Sequence, residues 1–140
     1  PGLINLDFAD LRTILSKGGP ALIGLGESKT DKASDARALE AVENALTSPL
    51  LDVDISDANR ALINVIGGTD MTLREAEMIV EVVGSRINPN AHIIWGAMVD
   101  ENMPRSQIQT MVVIAGGKIP FLDGSPVQQE KMDLGIEFTE

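Results

Sequence analysis

The sequence predicts an α+β domain: a mixed sheet of four strands with helices packed on it. Three observations carry this. Apolar residues at helical spacing alternate with short apolar or β-branched runs, in the order α, β, α, β, α, β, β. Glycine, proline and asparagine clusters punctuate most of the changes. The length, 140 residues, is that of one domain, and a chain of this mass buries roughly 68% of the surface its unfolded form exposes. That suffices for a hydrophobic core without a metal or disulfide staple.

Each element has its own signal. Residues 8–17 place Phe8, Leu11, Ile14 and Leu15 at helical spacing, and Gly18-Gly19-Pro20 stops the helix. Residues 21–25 form a short apolar run after that breaker and predict a buried strand, although Gly24 and Gly26 weaken it. Residues 33–46 predict a second helix with a stripe of Ala36, Leu39, Val42, Ala45 and Leu46, ended by Ser48-Pro49. Residues 59–66 predict a strand closed by Gly67-Gly68. Thr72-Leu73-Arg74-Glu75 is a capping box opening a third helix, with a stripe of Leu73, Ala76, Ile79, Val80 and Val83. Residues 91–99 and 108–115 predict two further strands, expected to pair as an antiparallel hairpin through the polar connection at 100–104. Gly116-Gly117 ends the last strand, and beyond it Phe121 and residues 136–138 are candidates for edge strands. Strands joined through helices can run parallel, so the sheet is expected to be mixed.

Composition excludes several functions. The hydrophobic fraction, 44%, is that of a globular protein. The absence of cysteine removes disulfides, thiolate metal sites and cysteine nucleophiles. A single histidine, His92, cannot make a two-histidine zinc site. With 21 acidic and 11 basic residues the net charge is −10, which repels nucleic acid and anionic membranes alike. No run is long and apolar enough to insert in a bilayer, and no signal peptide is visible, so a cytoplasmic protein is expected. The chain opens Pro1-Gly2-Leu3-Ile4-Asn5 without a methionine, and it is expected to be a piece of a longer one.

Few residues suggest chemistry. Asp7 and Asp10 lie three apart at the start of the first helix, on one face. On spacing alone Asp7 is an N-cap and Asp10 a favourable first-turn charge. The other reading is a carboxylate pair that orients water or holds a cation. Gly67-Gly68 follows a strand and precedes a helix, but matches neither phosphate-binding glycine pattern, so it reads as a strand-ending turn. His92 and Trp95 are predicted on opposite faces of one strand, with His92 at the surface and Trp95 filling core or interface. Ser48, Ser85 and Ser106 belong to no nucleophile elbow. The residues alone give an acidic α/β domain with one ambiguous carboxylate pair.

The run from Gly2 to Leu11, Gly-Leu-Ile-Asn-Leu-Asp-Phe-Ala-Asp-Leu, resembles the loop joining the two halves of FtsZ, the tubulin-like cell-division GTPase. Further matches follow in order: Gly24-Leu25-Gly26 with the Ala-rich helix, Ser48-Pro49-Leu50-Leu51, residues 62–68, Ile93-Ile94-Trp95-Gly96-Ala97 and residues 111–116. The resemblance covers residues 2–116, and its tryptophan strand is similar to archaeal members. It implies the family's C-terminal domain, a four-stranded mixed sheet with helices on one face. It divides the chain into an activating loop with the start of the first helix at 1–10, the domain at 11–116 and an extension at 117–140.

The resemblance also implies a role for the carboxylates. Asp7 and Asp10 would position the attacking water, directly or through a cation, at the GTP site of the neighbouring subunit in a protofilament. Asn5 would position the loop. The implied partners are the GTP-binding N-terminal domains of the same and the neighbouring subunit, in a homopolymer located at a midcell division ring. GTP and Mg²⁺ belong to the parent; this chain alone, lacking the phosphate-binding half, is expected to bind no cofactor and turn over no GTP. The family's flexible linker and tail peptide are not evident after Gly117. Two rival readings stand beside this one: a small-molecule-binding α/β module, and a structural interaction domain in which the aspartates only cap a helix.

Overall fold

In the computed structural model the described residues are 2–4, 21–28, 34–48, 51 and 54–117. They form five strands and two helices: β1 (Gly2–Ile4), β2 (Ala21–Ser28), α1 (Ser34–Leu46), β3 (Arg60–Gly67), α2 (Leu73–Arg86), β4 (His92–Val99) and β5 (Ile108–Ala115). The helix expected at residues 8–17 and the edge strands expected after Gly117 lie outside the described residues. The four expected strands are all present. A short fifth, β1, is added at the edge by residues assigned from sequence to the loop.

The sheet order is β1-β4-β3-β5-β2. β3 and β4 are parallel, and the helix between them supplies the crossover that a parallel pair needs. β5 is antiparallel to both β3 and β2, and β1 is antiparallel to β4. The sheet is therefore mixed, as expected. The expected β4–β5 hairpin is not formed, because β3 lies between the two strands. The physical reason is burial. β3 carries Ala61, Ile63 and Val65 on one face and Leu62 on the other, all buried, so it takes the centre of the sheet. Residues 100–107 must then cross its end.

Both helices pack on one face. That face is filled by Leu22, Ile63, Val65, Ile108, Val112 and Ile114 from the strands, with Val42, Ile79 and Val83 from the helices. The phase of α1 differs from the expected stripe. Arg37, Ala38, Ala41, Val42, Ala45 and Leu46 are buried, whereas Ala36 is exposed and Leu39 is 40% exposed. The two glycines of β2 explain the rotation. A Cβ on Gly24 would lie 2.2 Å from the Ala45 carbonyl oxygen, and one on Gly26 would lie 2.2 Å from that of Ala41. The helix backbone rests directly on the strand, and only alanines fit at that distance.

α2 follows its sequence signals more closely. The Thr72 hydroxyl accepts from the Glu75 backbone N–H at 3.2 Å, and the Glu75 carboxylate accepts from the Thr72 N–H at 2.7 Å. The capping box is complete. Ala76, Ile79 and Val83 are buried as expected, while Leu73 is 42% exposed. At the end of β5, Gly116 and Gly117 both have positive φ, +82° and +68°, a conformation that favours glycine.

The opposite face holds a smaller cluster of Ala21, Leu62, Val113 and Ala115, with Ile23, Ile94 and Met111 half-buried against it. His92 is exposed, and Trp95 is half-buried against the helix-side core. These are the positions expected of them.

Candidate functional site

The topology singles out one end of the sheet. β3 and β4 both finish there, at Gly67 and Val99. β5 begins there with Ile108 opposite Gly67, β2 ends there with Ser28 opposite Ile108, and α2 starts just beyond β3. β1 pairs with β4 near this end, Gly2 with Met98 and Ile4 with Ala97, and being antiparallel to β4 it carries the chain away from the end. Asn5 is the next residue in the chain. Asn5, Asp7 and Asp10 themselves lie outside the described residues. What is described is the strand immediately before them and the surface beside it.

The end of the sheet where β3 and β4 finish combines a locked polar interior with exposed apolar side chains. Arg37 of α1 is 5% exposed and Glu75 of α2 is fully buried. The Arg37 Nε donates to Glu75 Oε2 at 2.5 Å, and Nη2 donates to Glu75 Oε1 at 3.0 Å. Nη1 donates to Asp70 Oδ2 at 2.8 Å, and Nη2 also reaches the Asp70 carbonyl at 3.1 Å. Asp70 in turn accepts from the Ser106 N–H at 3.2 and 3.3 Å. Ser106 has φ +72°, which is uncommon for a residue with a side chain. Among the described residues every buried side-chain polar atom has a partner.

The electrostatics follow from these contacts. The Glu75 carboxylate holds the Arg37 guanidinium firmly charged, against the burial that opposes it, with Asp70 adding to the effect. The Arg37 hydrogen bond holds the Asp70 carboxyl below its ordinary value, and the Ser106 N–H contributes in the same direction. The sequence reading did not single out this group. Its one signal was an arginine set among the alanines of α1, flanking rather than opposing the apolar stripe.

The reading of Gly67-Gly68 as a strand-ending turn agrees with the structure. A Cβ on Gly67 would meet the Met71 side chain at 2.5 Å, and one on Gly68 would meet the Pro104 carbonyl at 2.7 Å. These glycines make room for protein, which is the geometry of a strand-ending turn. The Ser85 hydroxyl donates to the Val82 carbonyl at 2.7 Å, an internal helix contact. Among the described residues no three acidic or histidine side chains gather as metal ligands. No helix among them is long and apolar enough to cross a membrane.

A hollow of about 500 Å³ opens at this end of the sheet between Leu25, Glu27, Asn64, Ile66, Gln109 and Met111, and is also lined by Asn44 of α1. Leu25 is 61% exposed and Met98 41%.

Comparison with known proteins agrees with this architecture. The family described as "FtsZ family, C-terminal domain" matches residues 19–118. The cell division protein FtsZ 1 of Halobacterium salinarum is 54% identical over 124 residues, covering 89% of this chain and 30% of that protein. FtsZ 1 of Archaeoglobus fulgidus is 47% identical over 138 residues, covering 99% of this chain and 36% of that one. The solved structure of an empty FtsZ dimer from M. jannaschii superposes with a TM-score of 0.72 at 52% identity, over 83% of this chain and 32% of that one. The chain thus spans about a third of the length of the curated relatives it matches.

Proposed function

This chain belongs to the FtsZ family, whose C-terminal domain it carries, and from that premise we propose that it activates GTP hydrolysis in trans. In this reading the loop after β1 enters the GTP site on the N-terminal domain of the neighbouring subunit in a protofilament. Asp7 and Asp10 position the attacking water there, and Asn5 positions the loop. The domain also packs against the N-terminal domain of its own subunit. The observation that supports this is the pairing of β1 with Met98 and Ala97. It makes the residues just before Asn5 the edge strand of the sheet, beside the exposed Met98.

The chemistry suits the residue types. Phosphoryl transfer needs positioning and charge stabilisation more than covalent help, so two carboxylates delivered at an interface can switch it on. Two anions beside a triphosphate repel it at close range. Their role is therefore to orient water, directly or through a cation such as Mg²⁺, for which carboxylate oxygens are suitable donors. GTP and Mg²⁺ belong to the N-terminal half. The solved relative described as a dimer supports association between copies.

The test is GTP turnover by this chain, alone and then mixed with its matching N-terminal half. The expected result is silence alone and turnover on mixing. In a full-length protein, Asp7→Ala and Asp10→Ala should abolish turnover while nucleotide binding survives. Normal turnover in both variants, with only a lowered melting temperature, would reduce the aspartates to helix caps.

A further inference from the structure

We draw no further inference here: the strongest candidate, the apolar face of the sheet opposite the helices, where Leu25 and Met98 are exposed, carries none because nothing in the structure shows what covers it.

Discussion

The two faces of the sheet are built on different rules. The helix-covered face is closed to the atom: α1 lies with its backbone against Gly24 and Gly26, and Ile63, Ile79, Ile108 and Ile114 have no exposed surface. The other face buries Leu62 and Val113 but turns Leu25 and Met98 outward, beside an open hollow. Where packing is saturated, sequence change is felt as lost stability. Where apolar side chains face outward, it should be felt in what the surface meets.

The largest expected effect is on the closed face. Ile79→Ala removes a fully buried side chain between α2 and the sheet and should cost about 4 kcal/mol in denaturant unfolding. Gly26→Ala should cost about 3 kcal/mol, because its Cβ would sit 2.2 Å from the Ala41 oxygen and 2.3 Å from the Ala45 nitrogen. A neutral Gly26→Ala would mean that α1 can lift off β2 freely, and the contrast between the faces would weaken.

These two residues also mark what the sequence could reveal. Ile79 sits on a helical stripe beginning at a capping box, so its burial was legible from periodicity. Gly26 read only as a weak point in a strand. Its purpose depends on a helix arriving from elsewhere in the chain, and no local pattern encodes that approach. The same limit misplaced α1, whose longer side chain Leu39 points outward so that alanines can face the glycines. It also produced the hairpin expectation. Adjacent strands favour loops of about 2–5 residues, and the longer span of 100–107 was the available sign that β4 and β5 are not neighbours. Arg37, Asp70 and Glu75 are far apart in sequence and meet only through the tertiary fold. Asp7 and Asp10 stood out by their spacing, which favours a helix cap, and their catalytic role, like that of Asn5, came from the resemblance alone.

Acid stability sharpens the comparison at the sheet end. The Asp70 carboxyl is held below its ordinary value by Arg37, so its contribution is fully present above the unfolded value, about 3.9. It is lost as pH falls through the lower folded value. Unfolding free energy followed from pH 6 downward should therefore decline more steeply below about pH 4 in the parent than in Asp70→Asn. Parallel curves would show that Asp70 is not part of the locked network. Thr72→Ala, which removes the hydroxyl that caps α2, should cost about 1 kcal/mol.

The smallest effect on stability is expected on the open face, where the effect on association should be clearest. Leu25 of β2 lies opposite Met111 of β5, Met111 opposite Asn64 of β3, and on the next row Ile66 lies opposite Met98 of β4. These side chains form a mostly apolar track across the sheet, exposed at both ends. Exposed apolar patches of this kind promote association, so this chain should sediment with a concentration-dependent increase in mass. The double variant Leu25→Ser/Met98→Ser should change unfolding by no more than about 0.5 kcal/mol per site, yet reduce that increase. If it sediments as the parent does, self-association proceeds through some other surface. A strictly monomeric parent at high concentration would show that the track is not adhesive. Either result would confine the difference between the two faces to packing.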